Sequence, residues 1–138
     1  MFVIARLGDN IGALIGRVYT FTLQGETWME DKIFTASDGA SLDEFGGSVA
    51  IIGDMVLVGA PHKDGNRGDA YVFVLAGDGL WDEGTRLIPI NGIASGDEFG
   101  RSVALYGGRA LIGAVRSDEK GLNSGLAYIF HRMNGVFQ

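Results

Sequence analysis

The sequence predicts an all-β fold made of stacked four-stranded antiparallel meanders, the blades of a β-propeller. Three observations predict it. The segment DEFGGSVAIIGDMVLVGAP, Asp43 to Pro61, returns ungapped as DEFGRSVALYGGRALIGAV, Asp97 to Val115, at an offset of 54 residues. Self-similarity at a fixed period marks an architecture of repeated units. Helical periodicity is absent, and short β-rich runs are punctuated instead by Gly, Asn and Asp. The 138 residues include 23 Gly and only 2 Pro, a balance that suits many tight turns between short strands.

In the complete unit the strands are expected at Phe45 to Ile52, Met55 to Ala60, Asp69 to Leu75 and roughly Leu80 to Ile90. Two-residue links, Gly53-Asp54 and its counterpart Gly107-Gly108, join the first two strands, because a tight hairpin turn needs positive φ. The second and third strands are joined by a loop that varies between copies: residues 62–67, 116–124 and 7–15. The third strand opens on a recurring pattern, Gly16-Arg17-Val18-Tyr19-Thr20-Phe21, Gly68-Asp69-Ala70-Tyr71-Val72-Phe73 and Gly125-Leu126-Ala127-Tyr128-Ile129-Phe130. Links at Gln24-Gly25, Gly77-Asp78-Gly79 and Asn134-Gly135 then lead into the aromatics Trp28, Trp81 and Phe137 of the fourth strand. Unbroken apolar runs such as Met55-Val56-Leu57-Val58 are expected of sheets covered on both faces.

This reading divides the chain into a partial blade at 1–42 (strands two to four), a complete blade at 43–96 and a partial blade at 97–138 (strands one to three, with the fourth beginning). Closed propellers take four to eight blades. About two and a half blades therefore belong to a larger propeller or to one completed by other chains, and a lone monomer is not expected.

The bulk composition narrows the function. Hydrophobic residues make up 46% and charged residues 20%, an ordinary globular balance, and the net charge is −6 with no Lys/Arg cluster. Such a surface repels phosphate backbones, so nucleic acid is not an expected partner. There is no Cys, hence neither disulfides nor thiolate metal sites. No apolar run reaches the ~20 residues of a membrane helix, and the opening MFVIARLGDN does not read as a secretion signal.

Phe45-Gly46-Gly47-Ser48-Val49-Ala50 followed by Leu57-Val58-Gly59-Ala60-Pro61 resembles the FG-GAP repeat, the blade unit of integrin α-subunit heads and of many surface proteins. The second copy keeps Phe99-Gly100, Ser102-Val103-Ala104 and Ile112-Gly113-Ala114, with Val115 in the usual place of Pro. The resemblance implies a propeller that recognises proteins through the face carrying its variable loops, in an extracellular or cell-surface setting. An organelle or cytoplasmic assembly is the alternative. Calcium-binding blades of the family carry a DxDxDGxxD loop between strands one and two. Gly53-Asp54 and Gly107-Gly108 stand there instead, and they offer too few oxygens for an ion that takes six to eight. No cofactor is expected here, calcium being left to blades elsewhere in a longer parent protein.

The candidate recognition residues are those of the variable loops: Asp9 and Asn10 in the first, His62, Lys63, Asp64, Asn66 and Arg67 in the second, and Arg116, Ser117, Asp118, Glu119 and Lys120 in the third. Phe45, Gly46, Gly59, Phe99, Gly100 and Gly113 are expected to serve packing between units. Arg67-Gly68-Asp69 spells an adhesive tripeptide, but its Gly opens a strand, so a structural role is expected. The pairs Asp43-Glu44 and Asp97-Glu98 recur once per unit, as backbone caps would, and are not read as paired catalytic acids. His62 and His131 are isolated, so no nucleophilic or zinc set is complete. The expected function is a non-catalytic recognition, adhesion or scaffolding module. The alternatives are a structural subunit of a large assembly and a glycan-binding or hydrolytic propeller presenting Trp28 or Trp81.

Overall fold

In the computed structural model, the described residues are 2–7 and 16–138, with side chains described from Gly16 onward. They form three antiparallel sheets, each laid out in chain order. The first holds β1 (Phe2–Leu7), β2 (Gly16–Gln24) and β3 (Thr27–Phe34). The second holds β4 (Ser48–Ile52), β5 (Met55–Ala60), β6 (Asp69–Leu75) and β7 (Trp81–Arg86). The third holds β8 (Phe99–Tyr106), β9 (Arg109–Ala114), β10 (Leu126–Met133) and β11 (Val136–Phe137). A single helical turn, α1 (Lys63–Asn66), lies in the loop of the second unit, and positive φ at Asp64 and Gly65 keeps it from extending.

The two copies of the repeat pair in the same register. Ser48 lies opposite Gly59 and Val49 opposite Val58, as Ser102 lies opposite Gly113 and Val103 opposite Ile112. Their hairpins close on glycine: Gly53 has φ of 55°, and Gly107 and Gly108 have φ of 52° and 73°. Element boundaries differ from the sequence expectation at two places. Strand one of the second unit begins at Ser48, because Phe45, Gly46 and Gly47 form the turn that enters it. Strand four ends at Arg86, where Leu87 turns inward and Pro89, lacking an N–H, cannot extend the ladder.

The core is two seams between sheets. In the seam between the first and second units, Val18, Phe34 and Ala36 meet Phe45, Val56, Val58, Ala60, Tyr71 and Phe73. In the seam between the second and third, Met55, Leu57, Ala70, Val72 and Leu87 meet Phe99, Ala110, Ile112, Ala114, Phe130 and Phe137. The unbroken apolar run of β5 is thereby explained: even residues face one neighbour and odd residues the other, so all six are buried. Each fully buried Leu or Phe contributes roughly 1.5–3 kcal/mol. The seams therefore supply most of the stabilisation that the short ladders lack.

The motif aromatics plug these seams. Phe45 packs edge-on against Tyr71 and Phe73, at centroid distances of 5.4 and 6.0 Å, and Phe99 likewise against Tyr128 at 5.5 Å. Trp81 stands edge-on to Phe34 at 5.3 Å across the first seam. Trp28, at the equivalent position one unit earlier, is 51% exposed.

Candidate functional site

The variable loops of the second and third units and the connections between units lie at one end of the sheets, and the tight hairpins lie at the other. At the loop end, His62 N donates to Asp43 O and Arg116 N to Asp97 O, both at 3.2 Å. The loop of the second unit is held on both sides. It also receives hydrogen bonds from Gly96 N and Glu98 N to Asn66 O and from Phe99 N to Arg67 O, in the connection entering the third unit. At the hairpin end, Leu75 N bonds Asp54 O and Arg132 N bonds Gly108 O, so the short turns brace the neighbouring strand.

A charged network fills the loop end of the first seam. The Lys63 ammonium is 4% exposed as a residue and donates to Asp38 O at 2.8 Å, with the Asp43 and Asp38 carboxylates each 3.3 Å away. Lys63 is therefore not an exposed recognition cation, as its place in a variable loop suggests; it is a buried strut. Burial disfavours its charge, but Asp43 and Asp38 outweigh that and hold its pKa above the ordinary value. Arg86 bridges Asp38 at 2.8 Å and Asp69 at 3.0 Å, and the Tyr71 hydroxyl donates to Asp38 at 2.8 Å. Burial resists ionisation of Asp38, yet the hydrogen bonds from Tyr71 and Lys63 and the charges of Lys63 and Arg86 bring its pKa below the usual carboxylate value. Burial pushes the Asp69 carboxyl up, with Arg86, the Ala70 N–H and Arg67 only partly offsetting it.

The network settles the geometry of the Arg67-Gly68-Asp69 tripeptide. Asp69 is wholly buried and held by Arg86, while Arg67 turns to Asp64 at 2.8 Å. Gly68 abuts the Phe99 backbone of the next unit. An adhesive tripeptide needs both charges at a projecting tip, and this one has neither free. The Asp64 and Asp69 carboxylates both face the Arg67 guanidinium, at 2.8 and 3.9 Å, and Arg86 also holds Asp69, so cations of the chain itself stand where these carboxylates approach one another.

The remaining loop residues sort by exposure. His62 is half-buried, its Nδ1 3.2 Å from Glu44. Arg116 is exposed and pairs through Nε with Glu98 at 3.1 Å. Ser117 is wholly buried, whereas Asp118, Glu119 and Lys120 are exposed or nearly so. Asp118 accepts from Asn123 N, which fixes the turn. Asp9 and Asn10 lie outside the described residues. Asp43 and Asp97 take the same capping role in both copies, accepting from Ala40 N at 2.8 Å and Ala94 N at 3.0 Å. A cavity of about 520 Å³ opens between the third unit's loop and the connection before it, lined among others by Asn91, Ser95, Asp97, Ser117, Asp118 and Asn123.

Sequence reasoning passed over Asp38, Tyr71 and Arg86. A signal was there: the third strand of the second unit opens with Asp69, where the other copies have Arg17 and Leu126. A carboxylate introduced at a seam position requires a cation nearby.

No curated protein matches the chain. The family model described as the FG-GAP repeat matches twice, at residues 28–73 and 81–130. Each match begins in the fourth strand of one sheet and runs through the third strand of the next, so the family's repeat carries its own connection across the seam. The two matches cover well over half of the sequence, and together with the all-β sheets in repeat register they establish that the chain belongs to the FG-GAP repeat family.

Proposed function

We propose that the chain is a non-catalytic recognition module of a surface or secreted protein, using the loop end of its blades to engage a protein partner. The observation that carries this reading is the contrast within the repeat. Sheet registers and hairpins are constant between copies, while the strand two to strand three loops differ in length and residue type. Change confined to one end of a constant scaffold is how a binding surface diversifies without disturbing the core. The loop at 116–124 is the main contact, because the loop at 62–67 is clamped by connections on both sides and its cation is buried.

The test is a paired capture experiment with tagged protein presented to intact cell surfaces and to secreted fractions. One variant replaces residues 118–123 by a Gly/Ser linker, and another replaces Gly77-Asp78-Gly79 at the opposite end. Ligands held by the unaltered protein and by the hairpin variant, but lost from the loop variant, support the reading. Equal retention by all three overturns it.

A second reading, a scaffold subunit whose neighbours cover its faces, is favoured by the outer face of the third sheet. Leu111 and Ile129 lie opposite each other there, 44% and 60% exposed, at the positions of the buried Leu57 and Val72. That face is a copy of one that packs on a following blade.

A further inference from the structure

The cavity beside the third unit's loop has an occupied counterpart one repeat earlier. At the offset of 54 residues, Ala94, Asp97, Arg116 and Ser117 stand where Ala40, Asp43, His62 and Lys63 stand. The frameworks agree bond for bond: the carboxylate caps Ala40 N or Ala94 N, and its carbonyl receives His62 N or Arg116 N at 3.2 Å. The turn before them is closed in the same way, by Gly39 N to Ala36 O in one copy and Gly92 N to Pro89 O in the other, at an offset of 53 because one extra residue precedes Ala94, so that Asn91 takes the turn position of Asp38. The departure that shapes the cavity is at Lys63 and Ser117. Lys63 sends an ammonium to the Asp43 carboxylate and the Asp38 carbonyl, whereas Ser117 ends one atom beyond its Cβ.

The consequences are visible around Ser117. Its hydroxyl is fully buried and meets no partner at good hydrogen-bond geometry, its contact with the Tyr128 phenol being only a weak one that favours the ionised phenol. Asp97 is buried, and among the described residues no cation pairs with it; Arg101 is turned to Glu44 and Glu98, and Arg116 to Glu98. A buried carboxylate and a buried hydroxyl without a cation is the arrangement that natural structures normally complete.

We propose that this cavity receives a primary alkylammonium group from outside the chain, in the position that the Lys63 ammonium fills in the neighbouring unit. Asp97 supplies the counter-charge, Ser117 Oγ an acceptor, and Asn91 the oxygen that replaces Asp38. A tetrahedral –NH3⁺ donates three hydrogen bonds and suits this set. A divalent metal does not, since no group of three or more His, Asp or Glu side chains is placed to hold one among the described residues. The ammonium comes from a lysine side chain of a partner or from a small free amine. The inference deepens the reading of the 116–124 loop as the recognition surface.

The probes are n-butylammonium, Nα-acetyl-lysine methylamide and a short lysine-containing peptide, titrated into the whole 138-residue chain and followed by NMR shifts at residues 91–98 and 116–123. Saturable millimolar binding is expected, with tetramethylammonium and Ca²⁺ failing to compete. Asp97→Asn keeps the cap on Ala94 N and should weaken binding about tenfold or more, as one charge-assisted contact is lost. Ser117→Lys should fill the site from within, abolish binding and raise Tm. If Ser117→Lys does not fold, the Asp97→Asn titration decides alone. A peptide binding well above the free amines assigns the source to a partner's lysine, and equal affinities assign it to a small amine. No saturable shift, or binding unchanged in Asp97→Asn, overturns the proposal. Loss of ligands from the loop variant without any ammonium binding would remove this inference and leave the recognition reading standing.

Discussion

At Gly59 the backbone of the next unit comes so close that a Cβ would run into the Gly100 carbonyl. Gly100 reciprocates, with Asp69 O and Gly59 Cα against the place of its own Cβ. Gly59→Ala should therefore destabilise the protein by about 2–3 kcal/mol through overpacking in the seam. Gly77→Ala has open space and no positive φ, so it should change stability by less than about 0.5 kcal/mol. Urea denaturation of the pair checks this, and equal effects would show that the seam is looser than its contacts. Gly113, the repeat equivalent of Gly59, meets only Ser102 of its own sheet, so its packing role does not extend to a following unit within the described residues. Asp69→Ala should cost about 1–3 kcal/mol, since it strips the half-exposed Arg86 of its buried partner. The same substitution should leave cell adhesion unchanged, which an adhesion assay measures, because Asp69 is not accessible to a receptor.

The loop of the second unit is an element whose stability depends on charge. Lys63 has a folded pKa above its ordinary 10.5, so its contribution is complete below that value and is lost as pH climbs through the folded pKa. Tyr71, pushed up by burial and by its hydrogen bond to Asp38, acts with the same sign, because its neutral form belongs to the folded state. Thermal melts from pH 9 to 12 should show Tm falling above pH 10.5, with a shallower fall in Lys63→Met. Lys63→Met should also lower stability at neutral pH by about 3 kcal/mol, since Asp43 is left buried without its partner. A pH profile identical to that of the unaltered protein would remove Lys63 from the alkaline transition. At the acid end Asp38 and Asp69 act in opposite senses: the lowered Asp38 stabilises the fold less as pH falls, and the raised Asp69 stabilises it more.

Across the whole molecule, faces are covered where units follow one another and open where they do not. Gly16 backs onto the Phe45 backbone and Gly68 onto that of Phe99, but Gly125, next in the series, has only Val115 and Ala114 of its own unit nearest it. Leu111 and Ile129 are exposed beside it. The chain of 138 residues by itself should therefore self-associate, and light scattering after size exclusion should show mass above 14.7 kDa at micromolar concentration. Ile129→Lys should shift it toward monomer without lowering Tm, because that side chain touches solvent and not the seam. A monodisperse, cooperatively melting monomer of the unaltered chain would show instead that three sheets suffice.

Much of this was written locally. The repeat at Asp43 and Asp97, the Gly-closed hairpins and the two-faced apolar run of Met55 to Ala60 specify sheets, register and stacking order, because turn geometry and side-chain alternation are short-range properties. The capping role of Asp43 and Asp97 was legible for the same reason, since it recurs with the backbone it serves. Loop residues were not legible in this way. Lys63 and Ser117 occupy matching positions in loops that read as exposed, yet both are buried. The one is satisfied by Asp38 and Asp43, and the other is left beside a cavity and an unpaired carboxylate. Whether a polar side chain faces water or a seam depends on the connection arriving from the neighbouring unit, some twenty residues away in sequence. That decision belongs to the stacking of the sheets, and only the tertiary structure makes it.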